Sequence, residues 1–149
     1  MGKQKVIFLC TGNSCRSQMA EGFLRNIADD RYEVFSAGLE PKQVNPYAIK
    51  VMQEDGIDIS HHKSKDLKNY LGRVNFSKAV FVCHNAEQNC PSIYPFAFEK
   101  LSWPFEDPAA FEGDEESTLN KFREIRDQIK NRIQNWLEEE ANAFNGEAQ

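Results

Sequence analysis

The sequence predicts an α/β fold, a parallel sheet with helices on both faces. Three features carry that expectation. Short apolar runs without polar alternation, such as Lys5 to Leu9, suit strands buried on both sides. Between them lie segments whose apolar residues recur at helical spacing. The residues best equipped for chemistry fall where these strands end, at the rim where such sheets hold their ligands.

Lys5 to Leu9 reads as the first strand and ends at Cys10. After a turn-like TGNS stretch, Met19, Phe23, Leu24 and Ile27 predict a helix from near Ser17 to about Asp29. Tyr32 to Ser36 is the second strand, closed by Ala37-Gly38. Pro46 opens a helix after Asn45, because its fixed φ and missing N–H suit a first turn. Ala48, Val51 and Met52 form that helix's apolar face, and Gly56 ends it. Ala79 to Val82 is a third buried strand and delivers Cys83 at its end. Lys100 to Trp103 supplies a fourth before Pro104 stops it. From Ser117 to about Glu139, one stripe of Leu119, Phe122, Ile125, Ile129, Ile133, Trp136 and Leu137 marks a long charged helix. The tail Glu140 to Gln149 is expected to fray.

A chain of 149 residues supports one domain, 1–149, around one core. No repeat, low-complexity tract or linker divides it. A net charge of −5 excludes a general binder of nucleic acid or anionic membrane, which a basic field would gather. An anionic ligand must then be held locally. The apolar stretch in MGKQKVIFLC is too short for a signal-peptide core or a membrane span, so a cytoplasmic protein is expected, and a monomer is expected with it. The four cysteines, Cys10, Cys15, Cys83 and Cys90, are too few for a secreted disulfide scaffold. In a reducing compartment they are catalytic, redox-active or buried.

The segment Cys10-Thr11-Gly12-Asn13-Ser14-Cys15-Arg16-Ser17 joins the first strand to the first helix. A loop entering a helix start aims unpaired N–H groups and the positive dipole end inward, which makes an anion site. Gly12 is expected to let the backbone curl. Arg16 offers a planar fork for two oxygens of a phosphate-like group. The same field is expected to lower the Cys10 pKa from about 8.5 toward or below neutrality, with the Ser17 hydroxyl as a further donor. Cys10 is thus the candidate nucleophile, and Thr11, Gly12, Asn13, Ser14, Cys15 and Arg16 the candidate oxyanion-binding loop. Cys15 itself reads as a packed structural thiol. The alternative is a buried strand-end cysteine followed by a surface arginine.

The stretch VIFLCTGNSCRSQMAEGF resembles the active-site segment of the low-molecular-weight protein tyrosine phosphatases and their arsenate-reductase relatives. That resemblance implies a flavodoxin-like sheet of four parallel strands in the order 2-1-3-4. It also implies a general acid from an Asp-Pro pair, which WPFEDP puts at Asp107. An oxygen leaving phosphorus or arsenic needs such a proton.

Cys83-His84-Asn85-Ala86-Glu87-Gln88-Asn89-Cys90-Pro91 separates the two branches. Hydrolysis needs one thiol, whereas reducing arsenate takes two electrons and a second thiol. Two cysteines separated by six residues are similar to the relay pair of thioredoxin-coupled arsenate reductases. The resemblance implies that Cys10 forms an adduct with arsenate, Cys83 attacks its sulfur and releases arsenite, and Cys90 captures Cys83. Thioredoxin or a similar dithiol donor would reduce the last disulfide, so no cofactor is expected. If residues 83 to 90 are helical when reduced, their ends lie about 10 Å apart, beyond the ~7 Å Cα limit of a disulfide. The segment must bend or unwind on oxidation, and Pro91 eases that loss.

Reductases of this type can hold potassium through an Asn, a Glu, a Ser and an Asp. Asn13, Glu21 and Ser36 match three of these positions, but Lys65 stands at the fourth with Asp66 beside it, so no metal is expected. His61, His62 and His84 form no zinc pattern with the thiols. The stretch from His61 to Val74 and the acidic Glu112 to Glu116 match no clear family pattern. The expected function is arsenate reduction, with arsenate, phosphate or sulfate fitting the loop and phosphatase activity on the side. Two alternatives stand beside it: a phosphatase acting on phosphotyrosine or small aryl phosphates, and a non-catalytic oxyanion-binding or redox-sensing module.

Overall fold

The computed structural model describes residues 2–90 and 97–148, with side chains through residue 143. In chain order the elements are β1 (Gln4–Cys10), α1 (Arg16–Ala28), β2 (Tyr32–Gly38), α2 (Pro46–Glu54), β3 (Phe76–Phe81), α3 (His84–Asn89), β4 (Ala97–Ser102) and α4 (Glu115–Ala148). The strands form one parallel sheet in the order β2-β1-β3-β4. This is the predicted order, and it makes β1 and β3 the inner strands.

Val6, Ile7, Phe8 and Leu9 of β1 are fully buried, which explains an apolar run without alternation. Aromatic side chains link the sheet to the last helix. Phe8 meets Trp103, Trp103 meets Trp136 of α4, and Trp136 meets Tyr32 of β2. Phe35, Tyr70 and Phe76 form a separate edge-to-face cluster. Arg123 and Arg126 of α4 both grip Glu54 at the end of α2, at 2.7 and 3.0 Å.

The helix starts follow local chemistry. Asn45 caps α2 by accepting from the Tyr47 amide, Pro46 fills the first turn, and Gly56 leaves the helix at φ +79°. Cys83 caps α3 in the same way, its sulfur accepting from the Ala86 amide at 3.4 Å. Cys90 closes the other end of that helix.

Two expectations need correction. The last helix does not end near Glu139, because α4 runs on to Ala148. No proline interrupts it, and Ala141 and Ala143 favour continued helix. The fourth strand ends at Ser102 rather than Trp103. Beyond it, the Trp103 amide donates to the Phe81 carbonyl and the Phe105 amide to the Val82 carbonyl, so the chain stays beside β3 as it crosses the rim. Pro91, expected to ease the loss of a helical end, lies outside the described residues. Among those residues, no helix is long and apolar enough to cross a membrane.

Candidate active site

The loop between β1 and α1 is held from outside by its carbonyl groups. Those of Cys10, Thr11, Gly12 and Ser14 accept from the amides of Leu39, Glu40, Lys42 and Asn45. The Asn13 carbonyl accepts from the Gln18 amide group and the Ser64 hydroxyl. With five successive acceptors committed outward, the peptide donors turn toward the cleft, as in an anion-binding nest. The Asn13 amide shows this directly by donating to Cys10 Sγ at 3.1 Å.

The curl comes from Asn13, whose φ is +49°, and not from Gly12 as expected. Asparagine tolerates this left-handed conformation when its side chain is well bonded. Here its Nδ2 donates to Ser17 and Ser36, and its Oδ1 accepts from Gln18 and the Lys65 amide. The essential glycine is Gly38, one strand away. A Cβ there would lie 2.6 Å from the Thr11 carbonyl oxygen and 2.9 Å from the Asn13 nitrogen.

Cys10 ends β1 with its sulfur 2.8 Å from Ser17 Oγ. Burial pushes its thiol up from the ordinary cysteine range, and the Ser17 hydrogen bonds and Arg16 charge oppose that push without overcoming it. This reverses the expected lowering. Counting donors along a sequence misses the desolvation of a side chain only 2 % exposed. Cys15 is driven up to about 12, again by burial first, which fits a packed thiol.

Arg16 begins α1 and donates to the Phe105 carbonyl at 2.9 Å. Its other nitrogen lies 3.7 Å from Asp107 Oδ2. Asp107 follows β4 and caps a short 3₁₀ turn, Pro108–Ala110, by accepting from Ala109. Cys83 arrives at the rim from β3, 3.5 Å from Thr11 Oγ1, and Asn85 donates to the same hydroxyl at 2.7 Å. Cys10, Arg16, Cys83 and Asp107 therefore line one cleft of about 620 Å³. Cys90, half-buried at the far end of α3, is not among its lining residues.

Sequence reasoning missed several wall and support residues. Lys42, Gln43, Asn45, His84 and Asn85 line the cleft, while Gln18, Ser36, Ser64 and Lys65 hold Asn13 from behind. In the sequence, Ser36 and Lys65 stand out only for their places in an ion-site pattern and not as supports of Asn13. The unmatched stretch from His61 to Val74 supplies the Ser64 and Lys65 contacts.

Glu21, Ser36 and Asn13 do not fit a potassium ion. Asn13 Oδ1 already accepts twice, Ser36 Oγ donates to Glu21, and the Lys65 ammonium stands 3.4 Å from Glu21 Oε1. Among the described residues, no group of three or more His, Cys, Asp or Glu side chains is arranged to hold a metal.

Residues 5–145 match the model of the low molecular weight phosphotyrosine protein phosphatase family. Arsenate reductase 1 of Staphylococcus epidermidis is 47% identical over 134 residues, covering 90% of this chain and 96% of that protein. An arsenate reductase solved in the phosphate binding state is 35% identical with a TM-score of 0.77, covering 91% of this chain and 98% of that one. A thioredoxin-dependent arsenate reductase of Corynebacterium glutamicum is 27% identical with a TM-score of 0.70, covering 92% of this chain and 61% of that one. Matched by that family model over nearly its whole length, the chain belongs to the low molecular weight phosphotyrosine protein phosphatase family.

Proposed function

We propose that the protein reduces arsenate to arsenite through a relay of three thiols. One observation carries this reading: Cys83 lines the same cleft as Cys10, and the Thr11 hydroxyl lies between the loop and its sulfur. A hydrolytic enzyme has no use for a second thiol there. Relatives named as arsenate reductases support the same choice.

In the first step arsenate enters the loop, its oxygens bound by the peptide donors and Arg16. A dianion can take the Cys10 proton, so the thiolate forms beside a monoanion, with the Ser17 hydrogen bonds and the Arg16 charge opposing the cost of its burial. Cys10 Sγ bonds to arsenic, and one oxygen leaves as water after protonation by Asp107. Ser17 and the Asn13 amide steady the sulfur as it loses and regains charge.

The Cys83 thiolate then attacks Cys10 Sγ. A sulfur–sulfur bond forms, the sulfur–arsenic pair passes to arsenic, and arsenic(V) leaves as arsenite at oxidation state three. Cys90 attacks Cys83, which frees Cys10 as a thiol and moves the two-electron oxidation onto a Cys83–Cys90 disulfide, the two electrons having gone to arsenic. Thioredoxin, or a dithiol like it, returns two electrons to that pair. As caps of α3, the two cysteines are held about 10 Å apart along the helix axis, so this disulfide requires α3 to open.

The cleft walls favour a small oxyanion over an aryl phosphate. Lys42, Gln43, Asn45, His84 and Asn85 are polar, and among the described lining residues Phe105 alone offers an apolar ring. Hydrolysis of small aryl phosphates remains the side reaction that Cys10, Arg16 and Asp107 support. The same reading has a single-domain monomer acting in the cytoplasm, where dithiol reductants operate. The deciding assay follows NADPH consumption through thioredoxin and its reductase. Arsenate-dependent oxidation is expected; phosphotyrosine hydrolysis without any arsenate-dependent oxidation would select the phosphatase, and phosphate binding without either reaction would select a binding module.

A further inference from the structure

We infer that the Lys65 ammonium is a built-in cation for this active site, a positioning group that acts on Cys10 through a directed chain of hydrogen bonds. The inference rests on Cys10 being the nucleophile, but not on which oxyanion it attacks.

The chain of contacts begins at Glu21, whose side chain is 4 % exposed. Its Oε2 pairs with Arg25 at 2.7 Å and faces His62 Nδ1 at 3.7 Å. Its Oε1 carries the Lys65 ammonium at 3.4 Å and accepts the Ser36 hydroxyl. Lys65 therefore sits on the oxygen that leads to the loop, whereas Arg25 sits on the other.

Donor counting fixes the direction of everything downstream. A carboxylate only accepts, so Ser36 spends its one hydrogen on Glu21 and must accept from Asn13 Nδ2. The second Nδ2 hydrogen goes to Ser17 Oγ, which leaves the Ser17 hydrogen for Cys10 Sγ, 2.8 Å away. The charge on Glu21 thus orients a donor at the nucleophile four links away. Arg25 already balances the carboxylate's charge from Oε2, so without a cation on Oε1 that oxygen would keep only the Ser36 hydroxyl and would draw water or a solvent ion into the place of the ammonium. Lys65 also donates its own amide to Asn13 Oδ1, so one residue secures both ends of the Asn13 side chain's network.

An ion could reach this place if the ammonium were removed. A second cleft, of about 290 Å³, is lined by Glu21, Arg25, Lys65 and Tyr70, and the Lys65 side chain is itself 28 % exposed. The prediction is an exchange of roles. The natural protein should ignore potassium, and a variant lacking the ammonium should come to depend on it.

The test compares wild type, Lys65→Met and Lys65→Arg in potassium chloride and in tetramethylammonium chloride of equal ionic strength. The readout is the rate of Cys10 carboxymethylation by iodoacetate at fixed pH, followed by mass spectrometry, with arsenate turnover measured beside it. Wild type should alkylate equally fast in both salts. Lys65→Met should slow about tenfold in tetramethylammonium and recover at least half the loss in potassium, and Lys65→Arg should stay within threefold of wild type. A wild type accelerated severalfold by potassium would overturn the inference, as would a Lys65→Met variant equal to wild type in both salts. A slowed Lys65→Met that ignores potassium would end the equivalence of ammonium and ion. Alkylation needs no turnover, so an enzyme inert toward arsenate would sink the reductase reading and leave this one standing.

Discussion

The Thr11 hydroxyl lies 3.5 Å from Cys83 Sγ and accepts a hydrogen bond from Asn85, so the oxyanion loop and the start of α3 meet through one side chain. That contact brings the second thiol to the loop that carries the first. It also means that a change in α3 is felt at the loop, because Cys83 and Asn85 belong to the cap and first turn of that helix.

Oxidation should unwind α3. In the reduced protein the Glu87 amide bonds to the Cys83 carbonyl and the Cys90 amide to the Ala86 carbonyl. Both bonds should be lost when Cys83 and Cys90 join, and hydrogen exchange at Cys90 should quicken on oxidation. Equal protection in the two states would rule out the Cys83–Cys90 disulfide.

Thiol substitutions separate the two chemistries. Cys10→Ser should abolish both arsenate reduction and aryl phosphate hydrolysis. Cys83→Ser or Cys90→Ser should keep hydrolysis and lose repeated arsenate turnover. If Cys83→Ser reduced arsenate repeatedly at the parental rate, the relay would have to be abandoned.

Asp107→Asn should lower kcat by about a hundredfold, the scale of a single proton donor, with KM moving little. The residue touches Arg16 only at 3.7 Å, so binding is expected to survive. Steady-state kinetics decide it, and a loss confined to KM would make Asp107 a binding group.

Gly38→Ala should push Thr11 and Asn13 away from the strand, since the new Cβ has backbone at 2.6 Å. Overpacking of this kind costs about 1–3 kcal/mol, and misplacing the loop by an ångström costs about a hundredfold in turnover. Thermal melting and single-turnover kinetics should move together. A variant with wild-type rates would show that the loop does not depend on this close approach.

The clasp between α2 and α4 carries a pH signature. Hydrogen bonds and charge from Arg123 and Arg126 hold the Glu54 carboxyl down at about 2, against 4.5 for a free glutamate. A depressed folded-state pKa adds stability that is whole above the unfolded value and fades as pH falls through the folded one. Glu54→Gln should therefore cost about 1 kcal/mol at neutral pH, as befits a partly exposed network. The gap to wild type should close between pH 4.5 and about 2. A gap that persisted unchanged at pH 2 would exclude the ion pairs as its source.

What could be read in the sequence was what depends on neighbours along the chain. Lys5 to Leu9 announced a buried strand because nothing polar interrupts it, and Asn45-Pro46 announced a helix start because capping is local. Cys10 and Arg16 were visible together because one loop carries both. Gly38, Ser64 and Lys65 were not, since each supports the loop from a distant segment brought close by folding. The left-handed turn falls at Asn13 and not at Gly12 because six supporting bonds reach Asn13 from five other residues, three of them in distant segments. The Cys10 pKa was misjudged for the same reason, since burial is a property of the packed molecule.

Trp103 and Trp136 are the only tryptophans in the chain, and they meet at 5.7 Å between the sheet and the last helix. Intrinsic fluorescence excited at the indole band therefore watches a single seam. It reports the peeling of that helix from the strands, and with it the loss of the Arg132 guanidinium that lies 5.0 Å from the Trp103 ring centre.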